Sequence, residues 1–389
     1  MAADPRDSAP VPASPRASGG LREVTLLFLR LGATAFGGPA VYIALMEEEA
    51  VRRRRWVSRE RFLDLLGATN LIPGPNATEL AIHLGRLRAG LPGLVAAGAA
   101  FIAPAALLSA AFGWLYLRYG SLPRAAGFLE GVKPAMVAVV VQALWSLGRS
   151  AVKDRMLAAL AAAGLAASLL GAGEIAILAA SGALAMAARR LAAGAAAAMV
   201  PLALPAAAVP AAAPFSLSTL FLVFLKTGSV LFGSGYVLLA FLRADLVERL
   251  GWLTESQLLD AVAVGQLTPG PVLSTATFVG YVLGGAPGAA LATVGIFLPS
   301  FVFVAISGPL VPRLRASPAA GAFLDGVNVA SLALMAAVTL DLARSALAGP
   351  IPLAVAAVSA LLLFRWRLNP AWLVLGGGAA GLIAAWLGS

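Results

Sequence analysis

The sequence predicts an all-α integral membrane protein of two homologous halves, related as inverted repeats, whose helices are broken or made re-entrant by glycine and proline. Three observations predict it. The chain repeats itself: Phe28-Leu29-Arg30-Leu31-Gly32, Trp56, Asp64 and Pro73-Gly74-Pro75 return as Phe224-Leu225-Lys226-Thr227-Gly228, Trp252, Asp260 and Pro269-Gly270-Pro271, an offset of 196 (252 − 56). After one slipped residue the match resumes at 195 (Pro299 − Pro104), including Phe128-Leu129-Glu130-Gly131-Val132 with Phe323-Leu324-Asp325-Gly326-Val327. The composition is 60% hydrophobic and only 12% charged, with a mean hydropathy of +0.90. That charged share is about half of what a soluble domain carries. Both copies are interrupted by Gly and Pro at equivalent places, as in transporters assembled from repeats with discontinuous helices.

Each half reads as two broken segments followed by four ordinary spans or hairpin arms. In the first half the broken segments are 21–49, interrupted at Phe36-Gly37-Gly38-Pro39, and 58–87, interrupted at Pro73-Gly74-Pro75. Helices are expected at 91–117, 124–148, 156–171 and 173–188. The second half repeats this, with breaks at Phe232-Gly233-Ser234-Gly235 and Pro269-Gly270-Pro271 and helices near 287–311, 319–343, 350–364 and 370–387. The domain reading is a disordered tail over 1–20, a repeat over 21–190, a segment over 191–215 that is either a linker or an extra span, and a second repeat over 216–389. Pro5, Pro10, Pro12 and Pro15, with little that could pack, argue for the disordered tail. The first apolar stretch belongs to the repeat, which argues against a cleaved signal peptide.

Charge excludes some function classes and orients the rest. With no cysteine and a single histidine, disulfides, thiolate chemistry and multi-histidine metal sites are ruled out, and no cofactor is expected. The net charge of +10 comes largely from Arg52, Arg53, Arg54, Arg55, Arg59 and Arg61. In an apolar chain this reads as positive-inside topology, not as nucleic-acid binding. The matching loop of the second half has Arg243 and Arg249 against Asp245, Glu248 and Glu255, so the halves are expected to face opposite ways. Arginines at both ends of 58–87 make that segment a re-entrant hairpin with its Pro-Gly-Pro at the tip, tolerable only where protein or water satisfies the open backbone.

Two such tips would present unpaired N–H groups and the positive ends of helix dipoles, a combination suited to an anion. The candidate binding residues are the tip glycines Gly37, Gly38, Gly74, Gly233 and Gly270 with Ser234. Polar side chains beside them add Asn70, Asn76, Thr78, Gln266, Ser274 and Thr275. Arg30 and Lys226 sit at equivalent places within apolar runs, and Lys133 is a third cation in such a run. A cation at that depth normally faces a partner or water; for Arg30 and Lys226, snorkelling to an interface is the competing explanation. Glu130 and Asp325, paired by the repeat, are alternative structural partners for these cations. Glu79 and His83, four apart on one face, are the candidate proton-coupling pair, with a packed polar pair as the alternative.

The string Pro73-Gly74-Pro75-Asn76-Ala77-Thr78-Glu79-Leu80-Ala81-Ile82-His83-Leu84-Gly85, with Phe36-Gly37-Gly38-Pro39 and the arginine-rich loop before it, resembles the chromate ion transporter family, long-chain two-domain type. The resemblance covers nearly all of 21–389. It implies export of chromate from the bacterial cytoplasm across the inner membrane, giving chromate resistance, with sulfate as the chemically similar alternative. The tetrahedral oxyanion would be held by the tips and neutralised by Arg30 and Lys226. The expected partners are that oxyanion and the lipid bilayer; a homodimer is left open. A membrane-embedded enzyme, the distant alternative, would need clustered Asp residues for Mg²⁺ or a catalytic His with an acid. The chain has no such Asp cluster, and Glu79 with His83 is its one acid–histidine pair.

Overall fold

The computed structural model describes residues 19–34, 39–120, 122–192, 214–232, 235–315, 317–366 and 368–387. The tail expected to be disordered, most of the segment between the repeats, and the tip residues Gly37, Gly38, Gly233 and Ser234 lie outside them. Among the described residues all regular structure is helical. The first half contains α1 (Gly19–Thr34), α2 (Pro39–Glu47, continued by a π-helical stretch Glu48–Arg53), α3 (Arg59–Thr69), α4 (Asn76–Tyr119), α5 (Pro123–Ala151), α6 (Arg155–Leu169) and α7 (Glu174–Ala192). The second contains α8 (Leu217–Val230), α9 (Leu238–Leu242, flanked by a 3₁₀ turn Gly235–Val237 and a π-helical stretch Arg243–Arg249), α10 (Glu255–Leu267), α11 (Thr275–Arg315), α12 (Pro318–Ala346), α13 (Pro350–Trp366) and α14 (Pro370–Leu387). Among the described residues four stretches are long and apolar enough to cross a membrane: Asn76–Tyr119, Ala125–Ala151, Val272–Ser307 and Pro318–Ala346. The protein is therefore a multi-pass membrane protein of two homologous halves.

Helix starts follow local chemistry. Ser58 caps α3 by accepting from the Arg61 amide, and Thr254 with Gln257 forms a reciprocal capping box on α10. Pro123 and Pro318 each open a helix, where a missing N–H costs nothing.

The 44-residue α4 is a helical hairpin. Ala89 (φ −137°, ψ 22°) and Gly90 (φ 65°, ψ −150°) reverse the chain, so residues 76–88 and 91–119 form two antiparallel arms. The arms touch where Gly85 meets Gly93, each so close that a Cβ would overlap the other's carbonyl. In α11 the reversal is at Gly284 (φ −140°, ψ 19°) and Gly285 (φ 61°, ψ −154°), and the glycine contact is Gly280 with Gly288.

Each half therefore makes two excursions before its first full crossing. Glu23, near the start of α1, pairs with Arg54 (2.8 Å), just beyond the π stretch, and with Arg88 (3.1 Å), at the turn of α4. The start of α1, the arginine-rich loop and the α4 turn thus share one end, with Arg54 and Arg88 over the Trp56 ring. Sixteen residues of α1 extend roughly 24 Å, short of a ~30 Å hydrocarbon core. The ends of 19–53 and of 59–88 thus lie at one end of the half, whereas the sequence suggested a returning segment only for the second of these. The equivalent end of the second half is aromatic: Phe215 packs on Trp252 (5.0 Å) and lies against Gly284.

Contacts between the halves fix their relation. Ala105, on the second arm of α4, packs at Gly270, and Gly113 further along packs at Tyr281. The second arm of α4 thus runs with the first arm of α11 and against its second arm, so equivalent arms are antiparallel. The remaining helices are exchanged: α5 packs on α13 and α14, and α12 packs on α6 and α7. Glycines permit both close approaches, Gly131 against Gly377 and Gly381, and Gly326 against Ser181 and Gly182.

Candidate functional site

The Pro-Gly-Pro tips end against the breaks of the opposite half. The Gly74 amide donates to the Leu231 carbonyl (2.8 Å), one residue before Phe232-Gly233. The Gly270 amide donates to the Tyr42 hydroxyl (2.9 Å), which donates back to the Gly270 carbonyl (2.7 Å). Tyr42 lies three residues after Pro39, and the Gly32 carbonyl faces the same glycine. Both tip glycines have left-handed φ, 141° at Gly74 and 101° at Gly270, a conformation costly for residues with a Cβ. Beyond each tip the backbone is arranged alike: Thr78 and Glu79 amides bond to the Pro75 carbonyl, and the Ser274 amide bonds to that of Pro271. The amides of Asn76, Ala77, Val272 and Leu273 then lead their helices as donors without a protein acceptor among the described residues.

The two tips differ in access and in chemistry. Pro269, Gly270 and Pro271 are buried, whereas Pro73, Gly74, Pro75 and Asn76 are half-buried and Asn70 is exposed. Asn76 donates to Asn70 across the mouth of the first tip (2.7 Å). Behind that tip, the Glu79 carboxylate and the Ser300 hydroxyl both occupy the point where a Gly74 Cβ would sit. Behind the second tip the equivalent position is filled by Ala105, and Thr275 replaces Glu79 and bonds to Val272 (2.8 Å).

Residues 22–188 and 218–382 both match the chromate transporter family. The chain belongs to that family. Among its relatives are the chromate transport protein of Pseudomonas aeruginosa, 36% identical over 91% of this chain and 90% of the relative, and that of Cupriavidus metallidurans, 32% identical over 94% and 93%. A probable chromate transport protein of Synechococcus elongatus is 32% identical over 84% and 86%. No solved structure matches the chain. The matched segments coincide with the two repeats.

Within this chromate transporter family member, the residues singled out from sequence fall into three groups. At the tips, Gly74, Asn70, Asn76, Glu79 and Thr78 cluster in the first half, and Gly270, Ser274 and Thr275 in the second, where Ser274 shares a hydrogen bond (3.3 Å) with Thr268, a residue not singled out from sequence. Gln266, just before the second tip, accepts from Tyr236 (3.0 Å). The cations form a second group with separate partners. Lys226 is ion-paired with the buried Asp245, which also pairs with Arg249. Lys133 pairs with Glu130, and Asp260 accepts from Tyr116 (2.9 Å). Asp325 pairs with Lys153 (2.6 Å). Arg30 is exposed on α1 and has no ion-pair partner among the described residues. The third group is unpartnered: both Glu79 oxygens, Thr78 Oγ1 and His83 Nε2 are buried without hydrogen bonds among the described residues, beside the equally unpartnered Ser300 Oγ, which the sequence did not single out.

Sequence reasoning missed Tyr42, Leu231, Ser300, Asp245 and Arg86. Tyr42 meets Gly270 across 228 positions, a pairing no periodicity encodes. Arg86 donates to the Val304 and Ala305 carbonyls (2.6 and 2.7 Å), and here a signal existed. Pro309 has no N–H to offer Ala305 four residues earlier, so that carbonyl needs an outside donor.

Proposed function

We propose that this protein exports chromate across the bacterial inner membrane, binding the dianion where the tips of the two halves meet. The observation that carries the reading is the crossing itself, Gly74 to Leu231 and Gly270 to Tyr42. It sets each tip against the break of the opposite half, in a chain whose full-length relatives are named chromate transport proteins. The leading amides of a helix stabilise an oxyanion through hydrogen bonds and dipole charge. Arg30, with no ion-pair partner among the described residues, supplies neutralising charge. Lys226 contributes to the field of the site while held by Asp245, and Lys133 does the same beside Glu130.

The antiparallel halves and the unequal exposure of their tips support alternating access. In this conformation the first tip is the open one; exchanging the conformations of the halves would open the second. Outward movement follows from energetics. A dianion leaving a negative interior gains about 4.6 kcal/mol per 100 mV, at ~2.3 kcal/mol per charge. Glu79 and His83 are the residues proposed to couple a proton to that movement.

The test is chromate flux in proteoliposomes under an imposed potential, with sulfate as competitor. The reading predicts flux that rises with inside-negative potential and is reduced at least tenfold in Arg30→Ala with unchanged thermal stability, about 1.4 kcal/mol or more of lost stabilisation. Potential-independent flux, or normal flux in Arg30→Ala, would count against it. Sulfate flux that chromate does not inhibit would move the assignment to sulfate on the same site.

A further inference from the structure

The strongest unexplained feature is the pocket behind the first tip. Glu79 and Ser300 are each 0% exposed, and among the described residues neither side chain has a hydrogen bond of normal geometry. Ser300, from the second arm of α11, is the hydroxyl that approaches the Glu79 carboxylate. Both oxygens meet against one face of Gly74, a position where any side chain would displace them. His83 follows one helical turn on along the same face, its Nε2 also buried and unpartnered. A carboxylate stripped of water and hydrogen bonds is among the costliest groups to bury unless something positive accompanies it.

Among the described residues no cationic side chain is hydrogen-bonded to the Glu79 carboxylate. On its own arm the charged and titratable neighbours of Glu79 are His83 and Arg86. The elements packed against α4 carry Arg61 and Asp64 on α3, Arg22, Glu23 and Arg30 on α1, Tyr42 on α2 and Tyr281 on α11; beyond α2 lie the Glu47–Arg55 charges. None is a hydrogen-bond partner of either Glu79 oxygen. Arg86 is spent on the carbonyls of α11, Glu23 on Arg54 and Arg88, and Tyr42 on Gly270. The repeat supplies an internal control, because the second tip has Thr275 and Ala105 at these two places and needs no counter-charge.

We infer that Glu79 and Ser300 form a site for a monovalent cation, a proton or a sodium ion, whose occupancy is linked to oxyanion binding at the first tip. This rests on the proposed function and deepens it: the carboxylate lies directly behind the glycine at which the anion would dock. With the cation absent, Glu79 repels an incoming dianion; with it present, the repulsion is removed. Linkage is reciprocal, so the oxyanion must tighten the cation by the same factor. One cation and one dianion would leave together with a single net negative charge, which the membrane potential still drives outward.

Two readouts on the purified full-length protein test this. The first needs no oxyanion: melting temperature is followed against sodium at fixed pH, and against pH in potassium, for the wild type and Glu79→Gln. A sodium-dependent rise in the wild type that the variant lacks assigns sodium; a pH-dependent difference with no sodium effect assigns a proton. Identical responses of the two proteins to both titrations would overturn the site. The second readout is equilibrium chromate binding. Wild-type affinity should rise about tenfold or more with cation occupancy, within the usual range of coupling, while Glu79→Gln stays near the tight limit. If Glu79→Gln does not fold, Ser300→Ala and the wild-type curve decide. A weakened cation dependence in Ser300→Ala supports the site, and wild-type affinity flat in both pH and sodium refutes it. A protein that shows the cation shift but binds no chromate keeps this inference and removes the proposed substrate.

Discussion

Gly74 and Gly270 carry the tightest constraint at the residue scale. Left-handed φ at both means that alanine would strain the backbone by roughly 1–3 kcal/mol, before its methyl met Ser300 at one tip or Ala105 (2.7 Å) at the other. Gly74→Ala and Gly270→Ala are therefore expected to lower melting temperature and abolish flux together; normal flux in either would mean that the tips are not tightly packed. Tyr42→Phe should be selective. It removes the one group that both accepts from and donates to Gly270, at about 1–3 kcal/mol for a buried amide left unpaired, and chemical denaturation in detergent would register that loss. The tips themselves were legible, because Pro-Gly-Pro announces a break wherever it falls in an apolar run. Their partners were not: Tyr42 and Ser300 look like ordinary helix residues until the fold brings them across the molecule.

The ion pairs argue at the scale of elements. Lys226 on α8 and Asp245 beyond α9 are both nearly excluded from water, with side chains 11% and 4% exposed. Removing one partner of a buried pair typically costs about 3–5 kcal/mol, whereas replacing both with apolar residues of similar size is often neutral. Lys226→Met should therefore destabilise the protein strongly. Adding Asp245→Leu should restore part of that stability, with Arg249, 26% exposed, left able to turn to water. A double variant no more stable than the single would show that the pair does not tie these elements together. The sequence showed that a cation in an apolar run needs a partner, and the repeat suggested Glu130 or Asp325. The partner found for Lys226 lies in a π-helical stretch whose geometry no local pattern signals. Helix positions, by contrast, were readable to within about four residues, since the observed α5 to α7 and α12 to α14 follow largely apolar runs bounded by Pro, Gly or charge. The turns of α4 and α11 fall in the gaps left between 87 and 91 and just before 287; what the sequence did not show is that the two arms pack on each other through Gly85 with Gly93 and Gly280 with Gly288.

For the whole molecule, the consequence is that neither half is a self-contained body. The last two helices of each half pack on the other half's long span, through glycine contacts that admit no side chain. Fragments covering 1–192 and 214–389 should each be degraded when expressed alone and be recovered together when co-expressed; a stable, monodisperse single half would refute the interleaving. Orientation is open to a similarly direct check, because the chain has no native cysteine. Glu60→Cys and Ser256→Cys occupy equivalent exposed sites. If the halves are inverted across the bilayer, an impermeant thiol reagent should label the first only from the cytoplasmic side and the second only from outside. The duplication and the charge difference between equivalent loops made inversion readable in advance. The exchange of helices between halves was not, since it depends on which glycine faces meet.

The most direct measurement of the central claim is the location of chromium in crystals of the protein grown with chromate, from anomalous diffraction. The account predicts a peak at the open tip, within hydrogen-bonding reach of the Asn76 and Ala77 amides and in front of Gly74. A peak elsewhere, beside Lys133 and Glu130 for example, with the first tip empty while chromate is bound, would contradict it.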